Sequence, residues 1–116
     1  MSNDQKPDPI LEFPLRMGTA KKAIHDLAIN HEHRIRIGAH TRQRMKERDI
    51  SIRDIFNVLR SQHSIMREEP ARQPSGDYIC ALDGVSAGEK ITVVIALKNF
   101  DHDPRALTVT VYVNNV

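Results

Sequence analysis

The chain has 116 residues, 40% hydrophobic and 28% charged, with a net charge of +2; this suffices for one small domain with a single core. Aromatics make up 4% and tryptophan is absent, so the core is predicted to be aliphatic. The lone cysteine, Cys80, excludes an internal disulfide and fits a reducing compartment, while no apolar run reaches the roughly 18 residues of a membrane span and the polar start lacks the apolar h-region of a signal peptide, so a cytoplasmic protein is expected.

In chain order, residues 1–14 carry Pro7, Pro9 and Pro14, which deny this stretch a helix interior. A flexible arm is predicted, with Ile10, Leu11 and Phe13 available to tuck onto the body. Residues 15–116 then form a single α+β domain. Met17, Ala20, Ile24, Leu27 and Ala28 recur at helical spacing and predict a first helix from about Leu15 to His31. His33 to Ile37 alternates as a short strand would. A basic helix from about Ala39 to Asp49 follows. Ser51 with Asp54 three residues on forms a capping-box pattern. Behind it Ile52, Ile55, Phe56 and Leu59 mark one apolar helix face, ending around Ser61 to His63.

From there the period changes from helix to strand. Ser64 to Glu68 reads as an edge strand and PARQPSG as a loop. Asp77 to Leu82 is a predicted strand with DGVSAG as its turn, and Lys90 to Leu97 is apolar on both faces, as a central strand would be. After the loop KNFDHDP, Ala106 to Val113 alternates. Leu107, Val109, Val111 and Val113 are expected on one face, and Thr108, Thr110 and Tyr112 on the other. The expected fold is N-terminal helices packed on one face of an antiparallel β-meander. Ile52, Ile55, Phe56 and Leu59 are expected to meet Val93, Ile95, Val109 and Val111, or the alternate set if the faces are swapped.

Charge is concentrated in one place. His33 to Arg48 holds six of the 17 Lys+Arg residues (Arg34, Arg36, Arg42, Arg44, Lys46 and Arg48) against one acid, Glu47. On a helix, His40, Arg44 and Arg48 stack at i, i+4 and i+8. Such a stripe is either a solvated face or an anion-binding surface, and its density favours the anion-binding surface. With few aromatics for base stacking, phosphate contact is better supported than base readout. Ribonucleolytic transesterification needs a base for the 2′-hydroxyl, an acid for the leaving oxygen and cations around the phosphorane. His40, Arg44, Arg48 and Lys90 or Tyr112 have the right chemistry for these roles, and His40 has the alternative role of capping or bracing its helix. Arg34, Arg36, Arg42, Arg48 and Lys90 are the candidate nucleic-acid contacts. His31 and His33 lack a third ligand, so no metal site is expected. No cofactor motif is present, and Cys80 reads as a core residue.

The run from His40 to Ser51, HTRQRMKERDIS, followed by G-D-Y, G-x-K-I-T-V-V and T-V-T-V-Y, resembles an uncharacterised bacterial domain family. That family's pattern is His-Ala-x-x-Arg-Met-x-x-Arg-x-Ile-Ser with a closing Val-Thr-Val-Tyr strand. It is similar in turn to the RelE/BrnT-like toxins of toxin–antitoxin pairs. The resemblance covers about Arg34 to Tyr112. It implies a compact RelE-like fold, an endoribonuclease toxin acting on RNA without a metal, and an antitoxin-like protein partner. Carried over by position, its recurrent polar residues are His40, Arg44, Arg48 and Tyr112. A non-catalytic protein- or nucleic-acid-binding module of the same fold is the alternative. Two positions depart from the pattern: Thr41 replaces Ala, and Asp49 replaces a Gly that a positive φ would favour.

Overall fold

The computed structural model describes residues 7–99 and 101–114. Residues 1–6 of the expected arm, and Phe100 of the KNFDHDP loop, lie outside the described residues. The elements run α1 (Met17–Asn30), a short 3-10 turn (Glu32–Arg34), β1 (Ile35–Ile37), α2 (Ala39–Arg48) and α3 (Ile52–Arg60). They continue with β2 (Ile65–Met66), β3 (Ala71–Arg72), β4 (Tyr78–Ser86), β5 (Glu89–Lys98) and β6 (Arg105–Val113). The fold is α+β, as the change of period in the sequence predicts. The strands form one six-stranded sheet in the order β1-β6-β5-β4-β2, with β3 also on β4. All pairings are antiparallel except β1 on β6, which is parallel. The sheet is therefore mixed, because β1, which lies between α1 and α2 in the chain, takes the far edge parallel to β6.

Local chemistry sets the helix ends. Ser51 accepts from the Asp54 N–H at 3.1 Å, and the Asp54 carboxylate accepts from the Ser51 N–H at 2.9 Å, closing the capping box at the start of α3. At the end of α2, Asp49 sits in the left-handed region at φ 54°. The N–H of Ile50 turns back to the Met45 carbonyl at 2.9 Å, and Ile50 itself is buried. Asp49 thus occupies the conformation for which the family pattern uses Gly.

The core lies between the helices and one face of the sheet. Ile55, Val58 and Leu59 of α3 are fully buried with Leu82, Val93, Ile95 and Val111. The expected α3 face is corrected here. Ile52 is 44% exposed and Phe56 only partly buried, while Val58 takes the interior place. The Arg60 guanidinium lies 5.0 Å from the Phe56 ring centre, so the ring is half lid, half core. Gly84 permits α3 to come close: a Cβ there would meet the Ser64 hydroxyl at 2.5 Å and Val58 at 3.0 Å. Farther along the same face, Ser86 donates to Asp54 at 2.6 Å and accepts from Asn57 at 2.9 Å. That bond is the first cause holding the Asp54 carboxyl below its usual range, ahead of its bond to the Ser51 backbone.

The faces of β6 also differ from simple alternation. Val94 pairs with Thr110 but Ile95 with Thr108, so Val109 is an extra residue, a β-bulge. Beyond it the parity inverts. Val111 and Val113 share the core side with Thr108 and Ala106, whereas Tyr112, Thr110 and Leu107 lie on the other face. Val109, expected in the core, is 37% exposed. Buried Thr108 is satisfied by β1: its hydroxyl accepts from the Gly38 N–H at 3.0 Å and donates to the Arg36 carbonyl at 3.3 Å. Of the arm residues, Ile10 is buried, whereas Leu11 and Phe13 are exposed, with the Arg72 guanidinium 5.2 Å from the Phe13 ring centre.

Candidate anion-binding site

The second face of the sheet carries no packed helix among the described residues. Cross-strand register places its side chains. Lys98 stands opposite Arg105, Ala96 opposite Leu107, and Arg36 beside Leu107, so these residues share a face. Arg36, Lys98, Arg105 and Leu107, together with His33, Arg34 and Asn99, line a cleft of about 400 Å³. Leu107 supplies an apolar side chain to it, and its walls are cationic.

Two acids hold part of this charge. Asp103 bridges Arg34 at 2.5 Å and Arg105 at 3.0 Å, and the Arg34 bond, ahead of the others, holds the Asp103 carboxyl below its usual range. Lys98 meets Asp77 at 2.7 Å. Arg34 is the most enclosed, its side chain only 13% exposed and its Nε buried without a partner among the described residues. Arg36 is exposed and makes no ion pair or hydrogen bond through its guanidinium to a described residue. Four cations therefore line one concavity, three of them paired with Asp103 or Asp77, and the Arg36 guanidinium has no partner among the described residues.

The α2 stripe is built differently. His40, Arg42, Lys46 and Arg48 are exposed, and Arg44 is half-buried and bonded to Glu47 at 2.8 Å. The same helix buries Thr41 and packs Met45 on the core. Its charges are mostly exposed, and none of them lines the cleft. Tyr112 projects from the open sheet face, opposite Thr92 and 40% exposed. No hydrogen bond or ion pair among the described residues joins it to His40 or Arg44. Lys90 lies on the same open face as Tyr112, at the end of β5 remote from Lys98. Of the sequence candidates, then, Arg34 and Arg36 come together in the cleft, Arg42, Arg44, Arg48 and His40 stay on α2, and Lys90 and Tyr112 stand farther along the sheet. Sequence reasoning misses His33, Lys98 and Arg105. The available signal is that Lys98 and Arg105 flank one loop symmetrically, which makes them cross-strand partners.

Cys80 is a core residue: burial pushes its thiol up to about 12, which removes it as a nucleophile. No cluster of three metal-ligating side chains occurs among the described residues, and no helix among them is long and apolar enough to cross a membrane.

A small α+β domain with a basic cleft on an uncovered sheet face is the class that fold and site define. Residues 37–113 match the family described as Domain of unknown function (DUF4258), and the chain belongs to that family. No curated protein and no solved structure matches the chain.

Proposed function

We propose that this is a toxin-like RNA-binding domain whose cleft holds the phosphodiester backbone. The observation that carries the reading is the convergence of Arg34, Arg36, Lys98 and Arg105 on one concavity with Arg36 uncompensated. Planar guanidiniums suit phosphate oxygens, and the apolar Leu107 side chain suits a ribose or base edge. On this reading the domain cleaves RNA as an endoribonuclease with His40, Arg44 and Tyr112 in the proton-transfer and charge-stabilising roles, and an acidic antitoxin-like protein neutralises it by covering the cations.

The test is RNA binding by the full chain as salt is raised, where log K falls linearly with log salt with a slope of about −0.7 per phosphate contact for a single strand. Arg36→Glu is expected to remove most of the affinity, and induced expression of the wild type to arrest growth in a way that Arg36→Glu relieves. Undetectable RNA affinity at low salt sinks the proposal.

A non-catalytic binding module of the same fold is favoured by one observation, the lack of any bond between Tyr112 and the His40–Arg44 helix. It expects RNA to be bound and recovered intact, with His40→Ala indistinguishable from wild type.

A further inference from the structure

Resting on the RNA-binding reading, we propose that the whole open sheet face is a track for a short single strand of RNA, running from the cleft to Lys90 with Tyr112 as a stacking platform. Lys90, Thr92, Val94, Ala96 and Lys98 alternate along β5 and so share this face. At a rise of about 3.3 Å per residue, Lys98 and Lys90 stand roughly 26 Å apart. Such a length suits about four to six nucleotides, the short end of single-strand site sizes.

The far end has its own features. A second cavity of about 360 Å³ is lined by Lys90, His63 and Arg67, with Asp83 and the exposed side chains of Ile65 and Val85. Asp83 is engaged, since it accepts from Thr92 at 2.6 Å and pairs with Arg67. Lys90 makes no ion pair with any described residue and is the free cation there, as Arg36 is at the cleft. Between the two ends the face is low: Ala81, Val94, the buried Ala96 and Thr110, with the Tyr112 ring standing beside the buried Thr92 and, across from Thr92, Asp83 held by Arg67.

This pattern matches one kind of polyanion. Cations at both ends with a largely apolar middle fit a chain that carries its charge in the backbone and presents free base faces. A duplex hides those faces in its stack and offers phosphates and 2′-hydroxyls across a wide groove. An exposed ring flanked by small residues gains from an unpaired base and nothing from a paired one.

The experiment is fluorescence anisotropy at low salt with labelled hexauridylate, diuridylate and a blunt RNA duplex, using the full chain. Hexauridylate is expected to bind more tightly than diuridylate or the duplex. Tyr112→Ala and Lys90→Glu should each weaken hexauridylate by about tenfold, while Tyr112→Phe retains binding. Lys90→Glu should also abolish the advantage of the longer oligomer. Reversal of the exposed Lys22 on α1 to Glu should leave all three affinities in place. If Arg36→Glu abolishes binding but Lys90→Glu and Tyr112→Ala do not weaken it, the cleft stands and the track falls. A duplex bound as tightly as the single strand overturns the track too. Absence of binding by every RNA overturns both. Lys90 and Tyr112 are exposed, and unchanged circular dichroism of their variants separates lost binding from lost fold.

Discussion

The two faces of this sheet are made of the same strands and do opposite things. On the helix side, Tyr78, Cys80 and Leu82 of β4 stand against Leu97, Ile95 and Val93 of β5, all buried. One residue along each strand, the other face carries Ile79, Ala81 and Asp83 against Ala96, Val94 and Thr92, bounded by Lys98 and Lys90. The period of two sorts the core-facing side chains from those of the open face, so on the RNA-binding proposal a substitution on one face should read out in stability and on the other in binding. Convergence of charge follows the same division. The stripe on α2 is dense in sequence but spreads in space, whereas the cleft draws Arg36, Lys98 and Arg105 from three strands onto one concavity.

The contrast breaks most visibly if the buried face proves tolerant. Leu59→Ala is expected to cost about 2–5 kcal/mol in chemical denaturation. Phe56→Ala, about one turn away on α3 but half-exposed under Arg60, should cost distinctly less than the about 3–5 kcal/mol typical of a fully buried Phe. Equal costs at the two positions would mean that Phe56 is core after all.

Next in size is the join between α3 and β4. Ser51→Ala removes the cap and should cost about 1 kcal/mol. Asp54 adds a pH dependence of definite sign. Its folded pKa lies below the ordinary value of 3.8, so its contribution is fully present above the unfolded pKa and is lost as pH falls through the folded one. Stability measured from pH 5 downward should fall, and fall less steeply in Asp54→Asn. Identical profiles would remove the Ser86–Asp54 bond from the account.

Thr41 offers a gain. It is wholly buried on α2, and its hydroxyl has no partner among the described residues. Thr41→Ala, the residue of the family pattern, should stabilise by up to about 1 kcal/mol, since it removes a desolvated hydroxyl and improves helix propensity. A lowered melting temperature would show that the methyl's packing outweighs the hydroxyl's cost. The smallest stability effect belongs to the open face. Arg36→Ala should leave the melting temperature in place and reduce the salt slope of RNA binding by about 0.7. A stability loss there would tie Arg36 to the fold instead.

Local rules made much of this architecture readable from the chain. The Ser51–Asp54 box, the helical spacing in α1 and the doubly apolar β5 each depend on neighbours a few residues away. Asp49 was legible for the same reason, since a positive φ beside a helix end is a local demand. The misreadings arise where distant partners decide. Nothing in ALTVTVYV announces that Val109 bulges, because the bulge is defined by register with Val94 and Ile95. Thr108 is drawn inward by Gly38 and Arg36, some 70 residues earlier. Val58 takes the interior place beside Gly84, which opens room at one point of the sheet, leaving Ile52 exposed and Phe56 partly buried. The cleft escapes for a similar reason: three of its cations lie on strands whose adjacency is a property of the sheet alone.

The parallel clasp between β1 and β6 carries a consequence for how the protein is born. Arg36 is synthesised well before Leu107, the residue beside which it must lie, and a gap of that length makes closure entropically dear until the β4–β5–β6 meander exists. On a ribosome, β1 therefore emerges early and docks last. Gly38 makes the docking tight, for a Cβ there would stand 2.7 Å from the Thr108 carbonyl oxygen. The basic cleft thus does not exist on a nascent chain, and on the RNA-binding proposal the domain would acquire its ligand only after β6 has been made and β1 has docked on it. Pulse-labelled amide exchange during refolding should show protection at Ile35 and Ile37 after that at Val93 and Val111, and the reverse order would dismiss this sequence of events.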